Sequence, residues 1–287
     1  MTNEFKSFFK AVGGNEGGKC NYATRLNTYG CGCQHNCAYC YARALLDFRG
    51  LWNPTSPAVA DIGEIRKTIR RELHKGDIVR LGGMTDCFQP LERSHRVTLR
   101  TIEELNRRGI GYLIVTKNKL VAEPEYLQVF DPELTHIQVT ITSTNPDITR
   151  KIEPGASLPA DRIAAVELLA ARGLDVSVRL SPYIPELVDI DEINAIKCDK
   201  ILVEFLRVNT WIARWVRETG LPVDLRQYRY KSAGYRHLPL RVKRELMRQI
   251  TGFRERSVCE DVEEHFAYWQ EAVNANINDC CNLRRTI

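Results

Sequence analysis

Four of the ten cysteines lie within ten residues, in the stretch CGCQHNCAYC, which we call the cysteine loop. Cys33, Cys37 and Cys40 have the spacing Cys-x3-Cys-x2-Cys. Thiolates are soft ligands that suit iron–sulfur clusters or zinc. Three ligands on a four-iron, four-sulfur cluster leave one iron open, whereas structural zinc takes four ligands. The spacing therefore indicates a cluster, and zinc completed by Cys31 or His35 remains the alternative.

Other cysteines show no such spacing. Cys20, Cys198 and Cys259 are isolated, and the adjacent Cys280 and Cys281 would need further ligands to hold an auxiliary cluster. The chain has 287 residues, and its apolar content of 44% is ordinary for a soluble domain with its own core. Neither a secretory leader nor an apolar run of about 20 residues is found, so we expect a cytoplasmic protein with reduced thiols and no membrane contact.

Apolar strand patterns alternate with amphipathic helix patterns along most of the chain, which is typical of parallel βα units. The predicted strands are 24–29, 77–82, 111–116, 136–142, 174–180 and 200–206. The predicted helices are 39–48, 61–74, 95–108, 122–130, 159–172, 188–195, 239–251 and 260–275. Six such strands predict an α/β fold, an incomplete (β/α)6 TIM-type barrel with chemistry at the strand ends.

Three regions are expected. Residues 1–20, with GGNEGG, suggest a flexible N-terminal arm, residues 21–222 the partial barrel, and residues 223–287 a C-terminal basic hairpin and helical extension.

The cysteine loop, with Tyr39 before its last cysteine, resembles the cluster motif of the radical S-adenosylmethionine (SAM) superfamily. With GGMTDCFQPLER, IVTKN, ITSTNPDITRKIEP and RLSPYIPELVD, in this order over roughly residues 25–210, it is similar to the spore photoproduct lyase-like branch. The resemblance implies a 4Fe-4S cluster on Cys33, Cys37 and Cys40. SAM would bind the open iron and be cleaved to a 5′-deoxyadenosyl radical that abstracts hydrogen from the substrate.

The resemblance also implies where SAM binds. The Gly82–Gly83 loop would meet its amino group, and Lys117, at a strand end, its carboxylate. The alternatives are a tight turn, which the glycines alone favour, and a solvated surface lysine, against which the position of Lys117 after the third strand counts. The remaining expected cofactor contacts, for the ribose, the adenosine and the cluster wall, are Thr140, Ser143, Ser181 and Tyr39.

Two residues are candidates for catalysis. Spore photoproduct lyase has a hydrogen-donating cysteine at the place of Gly83, so that donor is missing here. Cys87, four residues on, could replace it or could be a small buried residue. Tyr41 is a possible second relay.

Residues 225–256 contain ten Arg or Lys against two Glu, and their alternation with tyrosines around Gly234 predicts a hairpin. Cations neutralise phosphates and aromatic rings stack on bases, and the resemblance likewise implies a hairpin against DNA. A solvated charged face is the alternative. The expected nucleic-acid contacts are Arg226, Tyr228, Arg229, Tyr230, Lys231, Tyr235 and Arg236.

The sequence thus predicts a monomeric radical SAM enzyme, reduced by a flavodoxin- or ferredoxin-type donor. It would act on a pyrimidine base or its substituent in DNA, by modification or rearrangement, or by photoproduct repair. A small-molecule or RNA substrate, or a zinc-stabilised nucleic-acid-binding protein without catalysis, are the alternatives.

Overall fold

The computed structural model describes residues 9–11, 20, 22, 24–276 and 279–283. Its main feature is an eight-stranded sheet in which seven neighbouring strands run parallel and one edge strand is antiparallel. Within this described part of the chain the two edge strands do not pair, so the sheet stays open. The predicted α/β fold with an incomplete barrel is confirmed.

The strands are Phe9–Ala11 (β1), Thr24–Leu26 (β2), Tyr29–Gly30 (β3), Ala58–Val59 (β4), Ile78–Leu81 (β5), Gly111–Thr116 (β6), Thr135–Ile141 (β7), Asp175–Tyr183 (β8), Lys200–Phe205 (β9), Tyr230–Ser232 (β10), Tyr235–His237 (β11) and Glu255–Val258 (β12). The order in the main sheet is β1-β2-β5-β6-β7-β8-β9-β12, and β3 with β4 and β10 with β11 form separate pairs. All six predicted sheet strands are therefore present.

The α-helices are Tyr41–Phe48 (α1), Ile62–Glu72 (α2), Glu92–His95 (α3), Val97–Arg107 (α4), Pro124–Leu127 (α5), Pro146–Ile152 (α6), Pro159–Ala171 (α7), Ile190–Asn194 (α8), Thr210–Glu218 (α9), Leu240–Arg248 (α10) and Glu263–Ala272 (α11). Short 3₁₀ turns lie at Lys119–Ala122, Pro185–Leu187 and Leu225–Gln227. No helix in the described residues is long and apolar enough to cross a bilayer.

The two faces of the sheet differ. Residues two apart on a strand share a face. Ile114 of β6 and Val178 of β8 belong to the main core, which also includes Val166 and Leu169 of α7. The opposite, inner face carries polar residues such as Arg179 and lines cavities. The site is therefore expected on the inner face, at the carboxyl ends of the strands.

The predicted N-terminal arm and C-terminal extension both differ from expectation in one element. Residues 9–11 of the predicted flexible arm form an edge strand, while the rest of the arm apart from Cys20 lies outside the described residues. Within the predicted C-terminal extension, β12 joins the main sheet parallel to β9. The predicted hairpin is present as β10 and β11, with Ala233 and Gly234 at its turn in the left-handed region (φ 47° and 80°).

Candidate active site: the cysteine loop and the strand ends

The cysteine loop is a series of tight turns that leads into a helix. The amide of Asn36 donates to the carbonyl of Cys33 at 3.0 Å, and the amide of Cys40 donates to that of Cys37 at 3.3 Å. Cys40 is the N-cap of α1, where its sulfur accepts the Arg43 amide at 3.4 Å. These turns place all three expected ligands on the wall of one cavity of about 140 Å³, which we call the loop cavity.

A buried network behind the loop holds it in place. The Tyr39 hydroxyl donates to the carboxylate of Glu153, which also pairs with Arg162. Both charged side chains are at most 1% exposed. A Cβ on Gly155 would meet the carbonyl oxygen of Gln34 at 2.0 Å, so only glycine allows this close approach. Tyr39, expected at the cofactor, therefore also supports the loop through its hydroxyl.

Asp86, which sequence reasoning missed, connects the loop to two strand ends. Its Oδ2 accepts the Lys117 amide at 2.7 Å and the Thr116 hydroxyl at 3.1 Å, and lies 3.3 Å from His35 Nδ1. Burial opposes ionisation of Asp86, but His35 and the amide donors outweigh it and lower its pKa. The sequence feature that could have identified Asp86 is its position shortly after a predicted strand, where the catalytic residues of such barrels lie.

The loop cavity fits a cluster and a polar ligand. Burial raises the pKa of the Cys33 thiol to about 12 and also raises those of Cys37 and Cys40. Metal binding turns such thiols into thiolates and releases their protons. His35 Nε2 and Thr140 Oγ1 belong to residues lining the same cavity, and both are buried without a hydrogen-bond partner in the described structure. Three sulfurs and two orphaned polar atoms thus converge on one space.

Of the residues expected to meet the amino and carboxylate groups of SAM, Lys117 and Gly83 line the loop cavity and Gly82 does not. Lys117 lines the loop cavity, and its Nζ is 5.8 Å from the Tyr39 ring centroid. Gly83 lines it too, with a φ of 149°, and a Cβ there would meet Arg25 Cδ at 2.6 Å. Gly82, with a φ of 81°, forms the turn, donates its amide to a carbonyl of β2 at 2.7 Å and is not among the lining residues.

The predicted ribose and adenosine contacts separate into two groups. Thr140 and Ser181 line the loop cavity, whereas Ser143 does not. The Ser143 hydroxyl accepts the Asn145 amide at 3.1 Å in the turn before α6. This local bond engages the Ser143 hydroxyl within the turn, two residues beyond the end of β7.

The two catalytic candidates differ in access. Cys87 is 0% exposed, is packed in the main core and is not among the residues lining the loop cavity. Burial raises the pKa of its thiol well above the usual value. This placement favours the alternative in which Cys87 is a small buried residue over its expected role as hydrogen donor. Tyr41 is 42% exposed, lines the loop cavity and donates its hydroxyl to the Gly83 carbonyl.

A charged group on the inner face was also missed. Glu204 of β9 pairs with Arg179 of β8 and with Arg207. Burial opposes its ionisation, but the two guanidinium charges and a hydrogen bond from Ser181 lower the pKa of Glu204 to about 2. The sequence feature that could have identified Glu204 is a charged residue inside an apolar strand. Burying such a charge costs free energy unless it is paired.

The hairpin reaches the cysteine loop through Tyr235. Tyr235 lines a second cavity of about 140 Å³ together with Cys37, Cys40 and Lys117, which we call the side cavity. Tyr228 is 2% exposed in the main core, so its expected stacking on a base is corrected.

The other expected nucleic-acid residues lie nearer the surface. Arg229 and Lys231 are exposed, and Arg236 is half-buried. Arg226 pairs with Asp224 at 2.8 Å, and Tyr230 donates to a glutamate of α11.

Comparison with known proteins agrees with this geometry. The radical SAM superfamily model matches residues 27–197. The uncharacterized protein Rv2578c of Mycobacterium tuberculosis is 27% identical over 170 residues, which cover 56% of this chain and 50% of that protein. The uncharacterized protein MJ0683 of Methanocaldococcus jannaschii is 24% identical over 170 residues, which cover 58% and 63%. The chain thus spans about half or somewhat more of the length of these relatives.

Solved structures share the fold. Spore photoproduct lyase complexed with dinucleoside spore photoproduct superposes with a TM-score of 0.62 at 14% identity, over 94% of this chain and 79% of that one. SuiB of Streptococcus suis bound to S-adenosylmethionine gives 0.52 at 13% identity, over 86% and 53%. The family match removes the support for zinc at the cysteine loop. The chain belongs to the radical SAM superfamily, with a 4Fe-4S cluster and SAM as its cofactors and a fold shared with spore photoproduct lyase.

Proposed function

We propose that this protein acts on a pyrimidine base, or a group attached to one, in DNA. The observation that carries the proposal is the position of Tyr235, which lines the side cavity beside Cys37 and Cys40 and also lines a groove along the hairpin. An aromatic ring at this point can stack on a base that has left the duplex, as radical attack on a base requires.

The groove has the charge that a phosphate backbone needs. Lys231, Arg236 and Arg217 line it together with Tyr235. Much of the positive charge elsewhere in 225–256 is neutralised in the structure. The pairs are Lys243 with Glu260, Arg248 with Glu245, and Arg254 with Asp199. The hairpin therefore remains the part of this segment best suited to bind DNA.

The site residues have distinct proposed roles. Cys33, Cys37 and Cys40 hold the cluster, and Lys117 binds the SAM carboxylate as a point charge. Thr140 offers its orphaned hydroxyl to the bound cofactor. Reductive cleavage of SAM at the cluster supplies the radical chemistry, with a flavodoxin- or ferredoxin-type protein as the proposed electron donor.

The reaction we favour is modification or rearrangement rather than photoproduct repair. By the resemblance, Gly83 corresponds to the hydrogen-donating cysteine of spore photoproduct lyase. Cys87 is buried away from the loop cavity. Tyr41 has its hydroxyl at the cavity and is the proposed relay to a substrate radical.

The direct test incubates the reduced protein anaerobically with SAM and defined DNA duplexes. 5′-Deoxyadenosine and altered nucleosides are then measured by mass spectrometry. DNA-dependent formation of an altered pyrimidine supports the proposal. Altered nucleosides from RNA only, or turnover only with a small molecule, would reject DNA as the substrate.

The hairpin has a matched control. Arg229→Gln with Lys231→Gln removes two exposed charges at the start of the hairpin, one just before β10 and one within it. Lys67→Gln with Arg71→Gln removes two from α2. We expect only the hairpin variant to lose duplex affinity, with its salt dependence reduced by about 0.9 log units per lost phosphate contact. SAM cleavage without DNA should be unchanged in both. Equal DNA binding by the two variants would contradict a role of the hairpin.

A further inference from the structure

Four cysteines from distant parts of the chain meet on the inner face of the sheet. The Cys280 thiol contacts the thiols of Cys20, Cys259 and Cys281. All four line one cavity of about 220 Å³, the inner cavity. They pack around Leu202 of β9, in an apolar cluster separate from the main core. We call these four residues the second thiol cluster.

Hydrogen bonds hold in place the segments that carry three of these thiols. Cys259 continues β12, and its amide donates to the Val203 carbonyl at 2.8 Å. Asp279 accepts the amides of Cys281 and Leu283 at 3.0 and 2.8 Å, which shapes the turn around the adjacent cysteines. Cys259 is therefore presented from the end of a sheet strand, and Cys280 and Cys281 from a fixed turn.

The charge of the inner cavity suits a negative centre. Four thiolates on a divalent ion carry a net charge of −2, which nearby cations stabilise. The guanidinium groups lining the cavity belong to Arg25, Arg80, Arg179 and Arg207. The acids that line it are all ion-paired, Glu204 with Arg179 and Arg207, Glu260 with Lys243, and Asp261 with Arg207.

We propose that the second thiol cluster binds a second, thiolate-ligated metal centre, separate from the cluster on the cysteine loop. The bound group is thiophilic and is either a zinc ion or an iron–sulfur centre. Four cysteine sulfurs are the ligand number that a tetrahedral zinc site takes, with Zn–S bonds of about 2.3 Å.

The thiols must still turn towards the metal as it binds. Among the described residues no three His, Cys, Asp or Glu side chains form a ready-made ion site, and this includes Cys33, Cys37 and Cys40, whose family holds a cluster there. Cysteine sites commonly take their final geometry only with metal bound.

The centre would connect the two ends of the described chain beneath the active site. Cys20 comes from the N-terminal segment, and Cys280 and Cys281 come from the C-terminal one. The inner cavity shares Tyr41, Arg80, Arg179 and Glu204 with the loop cavity. A metal here would therefore close the open side of the partial barrel next to the site of radical formation.

Metal analysis of anaerobically purified protein tests the proposal. The first variant, Cys33→Ala/Cys37→Ala/Cys40→Ala, removes the family cluster and leaves the second thiol cluster intact. We expect it to retain protein-bound zinc or iron. Zinc would identify a single-ion site, and iron with visible absorbance an iron–sulfur centre; both support the proposal. Absence of bound metal from this variant would overturn it.

The second variant, Cys259→Ser/Cys280→Ser, is compared with Cys198→Ser. Cys198 is another buried cysteine, whose thiol donates to the Val176 carbonyl at 3.4 Å away from the cluster. We expect the double variant to lose the second centre completely and Cys198→Ser to retain it. Equal metal content in the two proteins would refute metal binding. If the double variant does not fold, the first variant decides alone.

Discussion

Glu153→Gln tests whether the buried network behind the cysteine loop supports the cluster. The substitution keeps the shape of the side chain but removes the charge that faces Arg162 in a pair at most 1% exposed. Breaking a buried ion pair from one side typically costs about 3–5 kcal/mol, because the other charge stays buried. Arg162 keeps bonds to the carbonyls of Ser157 at 2.7 Å and Thr140 at 3.0 Å. We therefore expect the lower end, about 3 kcal/mol.

The assay is urea denaturation of the metal-free protein, with retained iron measured separately after reconstitution. Asp161→Asn is the matched control because it also replaces a carboxylate by its neutral amide, in this case on α7. Asp161 pairs with Lys119 at 3.0 Å, but the two side chains are 40% and 51% exposed. An exposed pair contributes at most about 1 kcal/mol to the free energy of unfolding. Iron retention should fall in Glu153→Gln, since Tyr39 between the last two ligands loses its carboxylate acceptor.

A double-mutant cycle with Arg162→Met shows whether the effect belongs to the pair. Removing both charges should cost clearly less than the sum of the single changes, because neither partner is then left as a buried, unpaired charge. The reasoning is refuted if Glu153→Gln and Asp161→Asn lose the same free energy, or if the Glu153 and Arg162 changes are additive.

Three further outcomes are expected. Cys37→Ala should lose the cluster iron and SAM cleavage, while Cys31→Ala keeps both in iron analysis and product assays; the reverse pattern would contradict the ligand assignment. Lys117→Ala should weaken SAM binding by about 1.5–3 kcal/mol in calorimetry, and an unchanged Kd would exclude the role. Burial and the charge of Lys243 lower the pKa of His237 to about 4 from 6.5, so the unfolded chain binds a proton that the folded chain does not. The free energy of unfolding should therefore fall, by up to about 3 kcal/mol, as the pH drops through this window. His237→Gln should flatten that fall in denaturation curves, and an identical slope would disprove it.

Much of the fold could be predicted because its signals are local. The apolar runs at 111–116 and 200–206 correspond to β6 and β9, which are buried on both faces. Helix α6 was missed although Asn145 and Pro146 form an N-cap and first-turn signal. Strand β12, ERSV, shows no apolar periodicity of its own. It is a strand because it pairs in parallel with β9.

The candidate site shows the same division. The spacing of Cys33, Cys37 and Cys40 defines a ligand set within one loop, so it could be recognised without a structure. The role of Cys87 could not be assessed in this way, because a position in a loop does not determine whether the thiol faces the cavity or the core, where Cys87 is buried.

The sequence by itself determined the family and the parallel βα order, and it supplied the proposed cluster ligands, all of which depend on residues close together in the chain. Only the tertiary structure decided that Glu204 meets Arg179 and that Tyr235 reaches the cysteine loop. It also brought Cys20 to Cys280, which are 260 positions apart in the sequence. Such contacts depend on the path of the whole chain around the inner face of the sheet, and no local spacing or periodicity encodes that path.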